Sequence, residues 1–351
     1  ILNDEKIIFG LSNLHVRYSH ISIIQYLSAI SNNIIFNENG IIFAQALIAS
    51  SVIINFSYKI YFYNKNKNYN FHFFYLVSTL IFIIYKMNRY SEYGNDAPTH
   101  FLFFFLVSEL LNSNKENIKD FCNSVILMFF IIFNKITLLM CLLLGLIALK
   151  KINLYEVFKL KRFYFLIIFI VFWFLKNIII SGCVIYPVKS SCFKSLIWSD
   201  LQLVEDVSIA NEAYTKGWPD YKRIMAKNEE KTISVKEYSK KFFWVSYWSE
   251  IHLKKILKII TPYILTLTLI LIYLIYPKNS SFNLKKNKTH IFFIFVMFFS
   301  SLFWFVKVPV YRYGYSYFIS LISLIFAYLS FHSFNYKKNI NKFFNFLLIF
   351  C

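Results

Sequence analysis

The sequence predicts an all-α, polytopic transmembrane helix bundle with a helical region on its outer face. Of 351 residues, 58% are hydrophobic and only 16% are charged, whereas soluble domains carry roughly 25% charged residues. The apolar residues fall in long blocks separated by stretches rich in lysine and asparagine. Blocks of this kind, repeated along one chain, are typical of helices that cross a membrane several times.

A spanning helix needs about 17–25 residues, and eight apolar segments reach or approach that length. They are 41–58, 71–85, 121–149, 163–180, 259–276, 290–306, 315–333 and a segment that begins at Phe343. The second is short for a span. The third is long and is interrupted by Asn134 and Lys135, so that either one span or two broken half-helices would fit it.

Charge predicts which side each connection lies on, if 121–149 crosses once. One side then receives 59–70, 150–162, 277–289 and 334–342. These short segments hold 15 lysines and arginines and one acid, Glu156. The other side receives 1–40, 86–120, 181–258 and 307–314. That side has 21 basic residues and the 17 remaining acids. Short basic loops mark the cytoplasm, so we expect the second group to lie outside.

We expect three parts along the chain. Residues 1–180 form the N-terminal part of the bundle, 181–258 an outer-face region, and 259–351 the C-terminal helices. Within the outer-face region, the aromatic residues between Tyr238 and Leu253 have mixed three- and four-residue spacing, which predicts an interfacial amphipathic helix. The chain begins at Ile1 rather than methionine and stops inside an apolar run. We therefore expect it to be a fragment, and no signal peptide is visible.

The net charge of +20 does not indicate nucleic-acid binding in this context. The lysine clusters lie beside apolar spans, where they set topology and meet anionic lipid headgroups. Membrane lipids are therefore expected partners, and nucleic acid is not.

The segment from Tyr93 to His100 is the first candidate site. Asp96 followed by Pro98 and an apolar run is typical of a helix start. A carboxylate beside His100 at the outer membrane edge also suits a general base or a metal ligand. Both interpretations stay open, and Asp96 and His100 are the candidate catalytic residues. The sequence otherwise predicts no metal site and indicates no particular cofactor.

Arginine is rare in this lysine-rich chain, and three of its arginines fall at the expected outer edge of the bilayer: Arg17, Arg89 and Arg312. A guanidinium group binds phosphate with two parallel hydrogen bonds, so these residues are candidate phosphate ligands. Each could equally anchor a helix end. Tyr311 and Tyr313 flank Arg312 and offer rings that stack on a sugar.

Two cysteines, Cys183 and Cys192, share the expected outer segment 181–258. An oxidising compartment would permit a disulfide there, so the pair is a disulfide candidate. The spacing does not resemble that of a zinc site.

Four segments together resemble a bacterial family of uncharacterised multi-spanning membrane proteins related to the GT-C superfamily of glycosyltransferases. They are Glu5–His20, Tyr93–His100, Gly182–Cys192 and Tyr311–Tyr315. The resemblance implies transfer of a sugar from a polyprenyl-linked donor at the outer membrane face. It also implies a catalytic acid soon after the first span, which here would precede Ile1, because Asp4 and Glu5 do not match it by context.

We therefore expect an integral membrane glycosyltransferase of GT-C type in the assembly of a cell-envelope glycan. Its partner would be a polyprenyl-phosphate-linked sugar donor, and its active face would be the periplasmic face of the bacterial inner membrane. The alternatives are a polysaccharide polymerase, a non-catalytic transporter or flippase of lipid-linked sugars, and a purely structural membrane protein. A transporter needs ionisable groups near mid-bilayer, whereas only Lys135 is expected deep in a span and Lys176 near an end.

Overall fold

The computed structural model describes residues 8–19, 22–31, 37–87, 94–112, 117–149, 154–229, 231–240, 242–275 and 287–332. Within these ranges the secondary structure is helical. The helices are α1 Leu11–Leu14, α2 Ile23–Ser31, α3 Phe43–Lys65, α4 Phe71–Lys86, α5 Asp96–Asn112, α6 Ile118–Asn134, α7 Leu142–Leu149, α8 Leu154–Phe158, α9 Lys161–Ser181, α10 Leu201–Thr215, α11 Trp218–Lys227, α12 Val235–Lys240, α13 Trp244–Trp248, α14 Lys254–Ile275, α15 Lys288–Lys307 and α16 Tyr311–His332.

Shorter 3₁₀ turns precede or follow several of these helices, and a π-helical stretch joins α13 to α14. The 3₁₀ turns are Val16–Ser19, Asn37–Ile42, Ile136–Cys141 and Lys189–Ser191, and the π-helical stretch is Ser249–Leu253.

Five helical stretches of the described chain are long and apolar enough to cross a membrane. They are Asn39–Lys65, Lys161–Ser181, Trp244–Leu274, Lys288–Lys307 and Tyr311–His332. Two shorter apolar helices, Phe71–Lys86 and Ile136–Leu146, accompany them. The chain is thus a helical, multi-pass membrane protein by the length and composition of its helices. The span expected to begin at Phe343 lies outside the described residues.

The centre of the bundle is α4, which packs against α3, α5, α14 and α16. Phe73, Tyr75 and Phe82 on its different faces are all fully buried, and a helix that is apolar all round belongs in the interior of a bundle. A hydrogen-bond network joins α4 to two neighbours. The Tyr263 hydroxyl of α14 donates to the Ser78 carbonyl (3.2 Å) and lies 2.9 Å from Ser323 Oγ of α16.

The bundle has two ends, which we name by their charged residues. At the Lys59 end, Lys59 of α3 forms an ion pair with Glu109 of α5, and the Tyr63 hydroxyl donates to Asn112 Oδ1 at 3.0 Å. At the Asp96 end, Asp96 of α5 contacts Lys135. Helix α5 therefore runs the length of the bundle. Its 17 residues cover about 25 Å at 1.5 Å per residue.

This course corrects one expectation, since the sequence placed 86–120 wholly on the outer side. The segment was missed as a helix of the bundle because Asp96, His100 and Glu109 interrupt its apolar run. In the structure Phe101, Phe103 and Phe104 are buried, and α5 packs against α3, α4, α6 and α16. The polar residues are tolerated because they lie near the helix ends or bond within the bundle.

The second correction concerns 121–149, for which the charge pattern favoured a single span. The segment is broken instead: α6 ends at Asn134, and Lys135 has extended backbone angles (φ −149°, ψ 98°). The chain then turns back, because Cys141 Sγ lies 3.9 Å from the Met128 carbonyl oxygen, and a methyl group placed on Gly145 would lie 3.5 Å from Met128 Cε. Helices α6 and α7 thus form an antiparallel hairpin.

The two corrections offset each other in topology. Helix α5 runs from the Asp96 end to the Lys59 end, and the α6–α7 hairpin reverses the chain at the Asp96 end. Helix α9 therefore starts at the Lys59 end, where Arg162 Nη1 donates to Asn123 Oδ1 of α6 at 2.7 Å. The end of the bundle expected for the start of α9 is therefore unchanged. Lys135, expected deep in a span, lies at the turn of the hairpin, at the Asp96 end.

Helices α10 to α13 gather at the Asp96 end, beyond the end of α9. The sequence predicted a single interfacial helix from Tyr238 to Leu253. The structure instead divides this stretch among α12, α13 and the π-helical stretch. Its two tryptophans are buried inside the protein, whereas Phe242 and Phe243 are exposed. Trp248 Nε1 donates to the Pro309 carbonyl at 2.6 Å, and the ring centroid of Trp244 lies 5.5 Å from that of Phe305. These rings fix the outer-face region to the link between α15 and α16.

Candidate functional site

Asp96, the first residue of α5, receives two cations. Its Oδ1 lies 2.5 Å from Lys135 Nζ, and its Oδ2 lies 3.3 Å from Arg312 Nε. The Asp96 and Lys135 side chains are only 17% and 9% exposed. A carboxylate in the first helical turn is also stabilised by the helix dipole. The sequence therefore placed the helix start correctly, but the carboxylate binds cations from two other elements.

Lys135 is positioned by the break in the α6–α7 hairpin. The preceding Asn134 side chain fastens this break, because its Nδ2 donates to the Asn95 carbonyl at 3.0 Å and its Oδ1 accepts from Ser22 Oγ and from the Ile24 amide. The Lys135 ammonium then lies 3.8 Å from the centre of the Tyr313 ring. It is thus held between a carboxylate and an aromatic face, both of which favour a cation.

Arg312 lies in the first turn of α16 and completes the cluster. Its guanidinium carbon is 5.4 Å from the centre of the Tyr313 ring, and its side chain is 45% exposed. Tyr313 therefore contacts both cations of the site. The sequence suggested that this ring stacks on a sugar, whereas in the structure it lies against Lys135 and Arg312.

Arg312 also lines a cavity of about 370 Å³ together with residues from the ends of α4 and α14. The other lining residues are Tyr85, Lys86, Lys255, Lys258, Ile259 and Tyr311. Three lysines and one arginine thus face this space, and no acid is among its described lining residues. Clustered cations in a cleft with low-dielectric walls attract anions strongly, and an arginine adds bidentate recognition of phosphate.

The lysines of this cavity were missed from the sequence. Lysine is abundant throughout, so Lys86 stood out no more than its neighbours, and the fold alone brings it beside Arg312. One signal was present. Lys255 and Lys258 are three residues apart at the start of a span, which places them on one helix face.

His100 is fully buried one turn after Asp96 and links α5 to α16. Its Nε2 lies 2.7 Å from the Arg312 carbonyl and therefore donates the hydrogen bond, while Nδ1 lies 2.6 Å from Ser316 Oγ and accepts in the neutral imidazole. Both ring nitrogens are thus occupied within the protein. The structure places His100 as a support for the backbone of Arg312. No cluster of three or more possible metal-ligating side chains occurs in the described ranges.

Of the remaining predicted phosphate ligands, the structure does not bring Arg17 to this cluster. Arg17 lies in the exposed 3₁₀ turn Val16–Ser19, where its backbone amide donates to His15 Nδ1 at 3.1 Å. None of the ion pairs between described residues joins it to Asp96. Arg89 lies outside the described residues. Tyr311, by contrast, lines the cavity beside Arg312.

Cys183 and Cys192 are joined by a disulfide. Gly182 precedes it at the end of α9 in a left-handed conformation (φ 73°), and a Cβ there would lie 2.5 Å from Ser199 Cβ. Cys183 and Tyr186 pack against Val204 and Val207 of α10. The disulfide-closed segment therefore ties α9 to the outer-face helices at the Asp96 end.

Comparison with known proteins adds one finding. No curated protein and no solved structure matches this chain. A family model described as a domain of unknown function, DUF8201, matches residues 1–319. That range includes α1 to α15 and the Asp96, Lys135 and Arg312 cluster, and the chain therefore belongs to the DUF8201 family.

Proposed function

We propose that this protein is an integral membrane glycosyltransferase of GT-C type. It would use a polyprenyl-phosphate-linked sugar donor in the assembly of a cell-envelope glycan, at the periplasmic face of a bacterial inner membrane. The observation that carries the proposal is the Asp96–Arg312 ion pair, at 3.3 Å, beside a cavity lined by Arg312 and three lysines. An acid next to an anion-binding cavity at one end of a membrane bundle suits chemistry on a lipid phosphate.

The chemistry needs two groups that this site provides. An acceptor hydroxyl forms a bond to the anomeric carbon of the sugar, the bond from that carbon to the phosphate oxygen breaks, and the polyprenyl phosphate leaves with added negative charge. Arg312 and the neighbouring lysines would stabilise that charge. A carboxylate takes the proton of the hydroxyl. Asp96, which adjoins the cavity through its ion pair with Arg312, would be that carboxylate.

Sidedness follows from charge. Lys65 at the end of α3 and Arg162 at the start of α9 belong to basic short segments at the Lys59 end, and such segments remain in the cytoplasm. The Asp96 end would then face the periplasm. The Cys183–Cys192 disulfide at that end supports this, because disulfides persist in oxidising compartments.

A flippase of lipid-linked sugars is the second candidate, since the hairpin broken at Lys135 is a feature that transporters also use. The distribution of charge favours the transferase. On the long apolar helices the charged side chains lie towards the ends, while the middle of the bundle holds uncharged groups such as Tyr263, Ser78 and Ser323. A transport path for a charged headgroup would need ionisable groups along it.

The test uses the full-length protein in proteoliposomes with a panel of radiolabelled polyprenyl-phosphate hexoses. Transfer is measured as release of free polyprenyl phosphate that accompanies appearance of a labelled product. We expect turnover with one donor, reduced about 10²- to 10³-fold by Arg312→Gln and unchanged by Lys254→Gln, which is exposed outside the cavity. If the donor moves between leaflets without any release of polyprenyl phosphate, the protein is a flippase and not a transferase.

A further inference from the structure

A second cavity of about 660 Å³ lies under the outer-face helices and shares no lining residue with the Arg312 cavity. Residues of α10 and α12 line it, together with the last two residues of α15, Val306 and Lys307. Its charged lining consists of five lysines and two glutamates. The cavity therefore carries an excess of positive charge.

Ion pairs account for only two of the five lysines. Glu205 pairs with Lys189, and Glu212 Oε1 lies 2.6 Å from Lys216 Nζ. The other three are Lys236, Lys240 and Lys307, which are exposed. None of these three is in an ion pair with another described residue. They leave a local positive charge facing the cavity.

An apolar groove of about 560 Å³ continues from this cavity along α15, and both share Val306 and Lys307. The α15 side of the groove is a stripe of Phe295, Phe299, Leu302 and Val306. These positions are three or four residues apart and so lie on one helix face. Each of the four is more than 40% exposed.

The opposite side of the groove is formed by the second half of the hairpin, through Met140 and Leu143. Helix α15 ends with Lys307 at the Asp96 end, so the groove runs from the charged cavity towards the middle of the bundle. From Val306 to Phe295 the stripe extends roughly 16 Å at 1.5 Å per residue. A polar head at the edge of the bilayer and an apolar tail pointing inward is the geometry of a membrane lipid.

We propose that this composite site binds an anionic phospholipid. Its phosphate lies among Lys236, Lys240 and Lys307, and one acyl chain lies along the Phe295–Val306 stripe. Charge complementarity selects the anionic headgroup, and the shared residues Val306 and Lys307 join the head and tail parts. The site is separate from the donor site and does not rest on the proposed transferase activity.

The experiment uses the full-length protein in phosphatidylcholine nanodiscs that contain a trace of phosphatidylglycerol with a photoreactive diazirine in its acyl chain. Crosslinked residues are mapped by mass spectrometry. We expect labels on the α15 stripe or on Met140 and Leu143. The same probe with a phosphatidylcholine headgroup should label these residues at least fivefold less.

Variants separate the head part from the tail part. The triple variant Lys236→Gln, Lys240→Gln and Lys307→Gln should lower labelling by tenfold or more, because a lysine near an anionic lipid contributes about fivefold in affinity. The matching Lys→Arg triple variant should retain it. Leu302→Trp should block labelling by filling the groove. The charge-matched control removes three exposed lysines outside the cavity, Lys222, Lys227 and Lys231, and should label as the wild type.

Three results would overturn the proposal. They are equal labelling by the phosphatidylcholine probe, equal loss in the control triple variant, or full competition by glycerol phosphate at the concentration at which the whole lipid competes. The control variant Arg312→Gln distinguishes this site from the donor site. It should leave lipid labelling unchanged while it lowers transfer.

Discussion

Asp96 at the start of α5 and Arg312 at the start of α16 are joined by an ion pair, with Oδ2 and Nε 3.3 Å apart. Because Asp96 Oδ1 also lies 2.5 Å from Lys135 Nζ, one carboxylate holds together the α6–α7 hairpin and two helix ends. Arg312 is therefore fixed at the edge of the cavity that Lys86, Lys255 and Lys258 also line. Removal of this carboxylate should affect both stability and ligand binding.

Asp96→Asn should destabilise the protein by about 3 kcal/mol, since removal of one partner leaves the buried Lys135 ammonium without its countercharge. Unfolding in detergent, followed by circular dichroism, measures this. Glu109→Gln is the matched control on the same helix, because it removes the carboxylate of the more exposed pair with Lys59. Its cost should be about 1 kcal/mol or less. If both variants lose the same small amount of unfolding free energy, the buried Lys135 ammonium does not need Asp96 as its countercharge.

Gly314→Ala should destabilise the junction of α15 and α16 and move Arg312. A Cβ at Gly314 would lie 2.6 Å from Trp304 Cε2 and 2.5 Å from Phe318 Cε1, and overpacking of this kind costs about 1–3 kcal/mol. The control is Gly145→Ala, where the added Cβ would lie 3.5 Å from the flexible end of Met128. This variant should have nearly the same stability as the wild type. If both variants melt with the wild type, then α16 can move away from Trp304 without penalty.

The disulfide between Cys183 and Cys192, nine residues apart in the chain, should stabilise the outer-face region by about 2–3 kcal/mol. A reductant should therefore increase proteolysis within 183–229 in the wild type and have no effect on a Cys183→Ser, Cys192→Ser variant. The other described cysteines, Cys122 and Cys141, are free and remain in both proteins as an internal control. If a reductant still increases proteolysis of the double variant, a group other than this disulfide causes the increase.

The docking of the disulfide segment on α10 should weaken in acid. The hydrogen bond from Lys189 and its positive charge lower the pKa of Glu205, so the pair stabilises above the usual glutamate pKa of about 4.3. This contribution is lost as pH falls through the lowered value in the folded protein. Glu205→Gln should raise the proteolysis rate at pH 7, and by a smaller factor at pH 3. A difference of the same size at both pH values would exclude the pair as its cause.

Much of the fold could be predicted from the sequence, because long apolar runs specify spanning helices without reference to their neighbours. Helix α5 could not, since Asp96, His100 and Glu109 break its apolar run. Only the tertiary structure shows that their side chains are satisfied by groups on other helices. The end at which α9 starts was still predicted correctly, because the hairpin at Lys135 reverses the chain direction once more.

The candidate site was predicted in part. Asp96 and Arg312 were singled out by residue type and by their places next to spans, and the structure brings them together. Lys135 was taken for a residue deep in the bilayer, because its position in an apolar block gave no sign of the turn that places it beside Asp96. Lys86 and Lys258 were not found, since they are distant in the chain and resemble many other lysines beside spans.

The most direct test of the central claim, that the Arg312 cavity binds the phosphate of a polyprenyl lipid, is the affinity of the full-length protein for polyprenyl phosphate. Calorimetric titration in detergent would measure it for the wild type, for Arg312→Gln and Lys258→Gln, and for the control Lys254→Gln. We expect binding by the wild type and the control, and at least tenfold weaker binding by the two cavity variants. Equal binding by all four proteins, or none by the wild type, would contradict the assignment.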